Sequence, residues 1–120
     1  SFSPPGISFA VAKDRAVEAL LHDSDYFALN VLADGRQNHL MKQFLQPFSP
    51  GADRFSGLNI ETSPNDQPIL PEALAWLEGC VKKRMECGDH WVIYAEINHG
   101  KVLDPTGTTA IHHRRSGANY

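Results

Sequence analysis

At 120 residues, 42% hydrophobic and 21% charged, the chain has the composition of one soluble globular domain with a single core rather than of a disordered segment. Its formal net charge of −3 and pI near 6.0 supply no broad cationic surface, which disfavours nucleic acid or anionic membrane as the main partner. No apolar run approaches a bilayer span and no charged-then-apolar leader opens the sequence, so no membrane span and a cytoplasmic location are expected.

After Pro4 and Pro5 the run "GISFAVA" predicts a strand with Ile7 and Phe9 on one face. Asp14 then suits a helix start, and Val17, Leu20 and Leu21 recur at helical spacing, predicting a short helix over about 14 to 22. "YFALNVL" reads as a strand in which Phe27, Leu29 and Val31 oppose Ala28, Asn30 and Leu32. That places the amide of Asn30 among apolar neighbours, where it needs a partner.

Asp34-Gly35 turns the chain into a second helix whose apolar face is Leu40, Met41, Phe44 and Leu45, with Pro47 as its terminator. "LNIE" is expected as an edge strand and "SPNDQP" as a turn. Pro71 suits a first helical position, and "PEALAWL" predicts about two helical turns. "CVKKRM" and "WVIYAEI" around Gly88-Asp89 suggest a hairpin, with "VKKRM" as a solvated strand face. Further bends are expected at Asn98 to Lys101 and at Asp104 to Gly107. Short strands with sparse short helices predict a β-barrel or α+β architecture rather than a doubly wound sheet.

The residues themselves carry little local chemistry. Six histidines are present, but no pair has the helical His-x-x-x-His spacing, so scattered surface or capping roles are favoured and no metal site is expected. Cys80 and Cys87 lack zinc-site spacing and are read as free and mostly structural, although a bridge between them stays open. Ser-elbow, dinucleotide and P-loop fingerprints are absent, so an enzyme here would borrow its reactivity from a cofactor. The terminal "HHRRSGANY" could hold a phosphate or carboxylate, or be a solvated tail.

Taken in order, "SFSPPGISFAVAKD", "YFALNVL", "HLMKQF", "DRFSG", "PILPEALAWLEGCVKKRMECGDHWVIYAEI" and "TTAIHHRRSGANY" resemble the flavin reductase-like family over essentially the whole chain. "ECGDHW" and "HHRRSGANY" look like one branch of it, the C-terminal flavin reductase module of cyanobacterial flavodiiron proteins, also called diflavin flavoproteins. The resemblance implies one domain over residues 1–120. Its fold would be mainly β, an FMN-binding split β-barrel with short flanking helices. The implied activity is hydride transfer from NAD(P)H to FMN, or to FAD, in a homodimer. In full-length relatives the electrons would pass to a di-iron centre in another domain that reduces oxygen to water, beside a flavodoxin-like domain.

Carried over by position, Ala10, Val11, Ala12 and Lys13 match the strand end along the flavin's ribityl and phosphate side. Asn30 matches an amide near the cofactor, and His39, Met41 and Lys42 match the helix region that approaches the phosphate. His90 matches the "GDH" histidine beside flavin and nicotinamide, which would make it the catalytic residue. His112 stands where relatives carry a pocket aromatic, and with Arg114 it could assist nicotinamide binding.

The front departs from the family pattern. The resemblance implies roughly two further strands and a Ser/Thr-rich loop, of which Ser1 and Ser3 would be the remnant. An N-terminally truncated module of this kind is expected to dimerise through unpaired edges and to bind FMN weakly or not at all. The alternatives are a non-catalytic flavin-binding module and a purely structural, dimerising one.

Overall fold

The computed structural model describes residues 1–35, 38–45, 53 and 55–111, without the side chains of Asn38, Met41 and Leu45. Its elements in chain order are β1 (Gly6–Ala12), a 3-10 helix (Ala16–Leu20), β2 (Tyr26–Val31), α1 (Asn38–Leu45), β3 (Glu61–Thr62), β4 (Pro68–Ile69), β5 (Ala75–Cys87) and β6 (His90–Val102). The four longer strands form one antiparallel sheet in the order β1-β6-β5-β2, and β3 pairs with β4. The mainly β expectation is met.

The β5–β6 hairpin organises this sheet. Its two-residue turn has a positive φ of 61° at Gly88, while Cys87 and His90 close the ladder. A glycine with positive φ in the first turn position is the type II′ pattern, whose twist matches the flanking strands. Cys80 is buried, Cys87 is exposed, and both are free thiols, as expected.

Alternation sorts the side chains into two faces. The first buries Val11, Leu21, Val81 and Ile93, with Phe9, Phe27 and Trp91 packed against them. Phe9 and Phe27 meet edge to face with ring centroids 5.5 Å apart. This packing needs a bare backbone at Gly79, because a Cβ there would lie 2.6 Å from Cζ of Phe27. Gly79→Ala is therefore expected to displace the Phe27 ring and cost about 1–3 kcal/mol. Chemical denaturation of the variant checks this.

On the other face, segment 63–70 covers the β2 and β5 end. Glu78 is fully buried there. Its carboxylate accepts hydrogen bonds from the Ser63 hydroxyl, the Asn65 amide at 3.1 Å and Asn65 Nδ2 at 2.6 Å. Burial pushes this carboxyl up, but the hydrogen bonds, with His99 nearby, outweigh burial and hold it below its ordinary 4.5. Asn30 pins the same segment, donating through Nδ2 to the Pro68 carbonyl at 3.2 Å and accepting from the Leu70 amide at 2.9 Å. A second core of Leu40, Leu70 and Ala73, with Leu32, Phe44, Phe55 and Leu58, lies beside it.

Several expected elements are corrected. The first helix is a five-residue 3-10 turn with Arg15 as its cap residue, without a side-chain cap bond. Val17 and Leu20 are exposed and only Leu21 enters the core, since three residues per turn do not hold the expected apolar stripe together. "PEALAWL" is not helical: Ala73 donates to the Leu70 carbonyl in a turn, and Ala75–Leu77 lie between β2 and β6. Pairing on both edges overrides local helix propensity.

"LNIE" contributes only Glu61 to a strand. The bend at 98–101 does not form either. β6 runs through it, with Gly79 opposite Ile97 and Glu78 opposite His99, so Asn98 is absorbed as a bulge. The Asp104 turn is present, its carboxylate accepting from the Thr106 amide and hydroxyl at 3.0 and 2.8 Å. The Pro47 stop and the "HHRRSGANY" tail lie outside the described residues.

Candidate functional site

The uncovered half of the second face lies beside the hairpin. Directly opposed residues of an antiparallel ladder put their side chains on the same side. The register therefore builds three rows across β1, β6 and β5: Ala12, His90 and Cys87; then Ala10, Val92 and Met85; then Ser8, Tyr94 and Lys83. Ala10 and Ser8 are exposed, Met85 is 60% exposed, and Ala12, His90, Val92 and Tyr94 are half-buried. The Tyr94 ring lies close over Gly6, where a Cβ would come within 2.7 Å of it. Small β1 side chains leave a low strip, a surface on which a planar ring can lie.

His90 stands at the hairpin end of this strip. Its Nδ1 is 2.7 Å from Asp89 Oδ1. A carboxylate only accepts, so Nδ1 carries the proton and Nε2 is the nitrogen left for a ligand. The same hydrogen bond and the charge of His90 hold the Asp89 carboxyl below its ordinary value.

Lys13 fixes the turn from the core side. Its amide donates to the Asp89 carbonyl at 2.9 Å, and its ammonium pairs with Glu86 at 2.8 Å while standing 5.2 Å over the Trp91 ring. That hydrogen bond and charge hold the Glu86 carboxyl below its ordinary value. Arg84 stacks on the same indole at 4.3 Å and its side chain is only 9% exposed. This corrects the reading of "VKKRM" as wholly solvated: Lys82 and Lys83 are exposed, but Arg84 is turned to the core side.

The anticipated site residues thus divide. Ala10, Ala12 and His90 come together on the open face, whereas Val11 is in the core and Lys13 lies on the core side. Ser1 and Ser3 lie at the Gly6 end of β1, Ser1 bonding Gly6 in both directions. That is roughly 20 Å along the strand from Ala12. Asn30 sits on β2 with both ends of its amide engaged by backbone.

His39 reaches Glu72 at 3.5 Å and lines a cavity of about 210 Å³ with Leu40, Leu58 and Leu70, and Lys42 is exposed on the same helix. The Met41 side chain, His112 and Arg114 lie outside the described residues. Val92, Met85 and Tyr94 were not singled out from sequence. The hairpin register counted back from Gly88-Asp89 would have placed them on the face of His90, while their place beside Ala10 and Ser8 depends on the long-range β1–β6 pairing.

Among the described residues no helix is long and apolar enough to cross a membrane. The strip suits a flavin ring, since its middle row of Ala10, Val92 and Met85 is apolar and His90 offers one polar nitrogen at its end.

A family model described as flavin reductase like domain matches residues 1–119. Diflavin flavoprotein A 1 of Synechocystis sp. is 52% identical over 120 residues, and a diflavin flavoprotein of Nostoc sp. is 53% identical over the same span. The chain covers 21% of each, so it spans about a fifth of the length of these relatives.

Among solved structures, the NADH:FAD oxidoreductase SgcE6 of Streptomyces globisporus has a TM-score of 0.82 at 27% identity, with 91% of this chain and 64% of that chain covered. A flavin reductase domain protein from Arthrobacter sp. has a TM-score of 0.77 at 22% identity, covering 100% of this chain and 75% of its own, a likeness of fold alone. The mainly β architecture is that of the flavin reductase split barrels. With a family model spanning nearly every residue and a matching fold, the chain belongs to the flavin reductase like domain family.

Proposed function

We infer that the chain is an NAD(P)H:flavin oxidoreductase module that holds FMN with its ring on the strip formed by Ala10, Ala12, Val92 and His90. The observation that carries this reading is the imidazole of His90, fixed by Asp89 at the end of a low strip of small side chains. A bound flavin supplies the redox chemistry, accepting a hydride from the nicotinamide. The chain's own residues bind and orient. The alanines admit a flat ring, Lys13 holds the turn in place, and Nε2 of His90 faces the ligand.

The relatives' length supports reading the chain as one module of a diflavin flavoprotein, and a cytoplasmic location belongs to the same proposal. There it would pass electrons toward a di-iron centre in another domain. Met85 and Ala10 lie exposed on the strip, and a second copy covering it would complete the pocket as a homodimer.

The test is NAD(P)H oxidation by the chain with added FMN. Turnover that depends on both protein and flavin is expected. Oxidation no faster than in protein-free controls, with FMN still bound, would leave a non-catalytic flavin-binding module.

A further inference from the structure

A second concave site lies on the core side of the sheet. A groove of about 470 Å³ is lined by Glu18, His22, Asp23, Arg84 and Trp91. Arg84 and Trp91 lie on the same side as Ile93 and Val11, so the groove is separate from the strip carrying His90.

Its centre is Arg84. One terminal nitrogen, Nη1, donates to His22 Nδ1 at 2.7 Å. The other, Nη2, donates to the Glu18 carboxylate. Nε is buried and has no hydrogen-bond partner among the described residues. Nε–H and the neighbouring Nη2–H form the side-on fork of a guanidinium, whose spacing suits two oxygens of one carboxylate or phosphate. Glu18 occupies that fork through a single oxygen and leaves a buried donor unmet, which is costly.

Glu18 is also weakly anchored. It belongs to a five-residue 3-10 helix with no buried residue and no side-chain cap. His22 adds to the donor set. A guanidinium only donates, so His22 accepts at Nδ1 and keeps its proton on Nε2. The carboxylates of Glu18 and Asp23 oppose a weakly held monoanion. A tetrahedral dianion offers more charge than Glu18 and two oxygens for the fork, so it can displace that side chain. The groove is roomier than a bare phosphate needs.

We propose that Arg84 is the anchor of a phosphate site, taking a phosphate dianion or monoester in the groove, with Glu18 as its built-in competitor. The site stands apart from the proposed flavin strip and does not depend on it.

The test uses the intact chain and follows the Arg84 Nε–H resonance during titration with inorganic phosphate and, separately, with adenosine 5′-monophosphate. A saturable shift is expected. Tighter binding of the nucleotide would identify a phosphate monoester as the ligand, and equal binding a free phosphate; either outcome upholds the site. Glu18→Gln should bind about tenfold tighter by removing an intramolecular competitor, and Arg84→Lys, followed through the indole N–H resonance of Trp91 in the same groove, should show no saturable shift. An unmoved Nε–H signal in the wild-type chain overturns the proposal, whatever the variants do. A folded Glu18→Gln variant that binds no tighter also overturns it.

Discussion

Glu78→Ala is expected to remove about 3–5 kcal/mol of folding stability, a large part of what a domain of this size holds. The carboxylate is fully buried and is the common acceptor for Ser63 and Asn65. Its loss strands the donors that tie segment 63–70 to the sheet and leaves a void. Glu78→Gln keeps the shape and one acceptor oxygen, so a smaller loss of about 1–2 kcal/mol is expected.

Acid should expose the same network. The folded-state pKa of Glu78 is depressed below 4.5, so the unfolded chain binds the proton more readily. Stability from this group is complete above the unfolded value and is lost as pH falls through the lower folded value. Urea titrations at a series of pH values should show wild-type stability falling in that window, with this component missing from Glu78→Gln. Parallel wild-type and variant curves would show that Glu78 is not ionised in the fold.

His90→Ala is expected to lower NAD(P)H-dependent FMN reduction by about 10–100-fold, the scale associated with losing orientation at a reacting centre. Its melting temperature should change little, because the imidazole is half-exposed and its side-chain partner is the exposed Asp89. Asp89→Asn should give a smaller loss, since it keeps the ring but removes the carboxylate that fixes the proton on Nδ1. Steady-state kinetics with saturating FMN separates the two. Equal activity of all three proteins would remove His90 from the reaction.

The hairpin was legible in the sequence because a Gly-Asp pair between strand-like runs carries its own turn chemistry, and the register follows from it. Asn30 was legible as an amide needing a partner, although the partner is the backbone of Pro68 and Leu70. The helix expected at "PEALAWL" was not reliable, because the strands on either side of Ala75–Leu77 are distant in sequence and decide its conformation.

Glu78 and Arg84 were missed for a related reason. Each is a charged residue within a strand whose hydrogen-bond partners lie 13 or more residues away. Within the site, His90, Ala10 and Ala12 could be named from the resemblance. Their division from Val11 and Lys13 follows from strand alternation once the β1–β6 pairing is known.

The most direct measurement is amide chemical-shift mapping of the chain with riboflavin, which carries the flavin ring without the phosphate and so reports ring placement alone. Shifts concentrated at Ala10, Ala12, Cys87, His90 and Val92 are expected. Shifts confined to Glu18, His22 and Arg84, with the strip silent, would contradict a flavin ring lying beside His90.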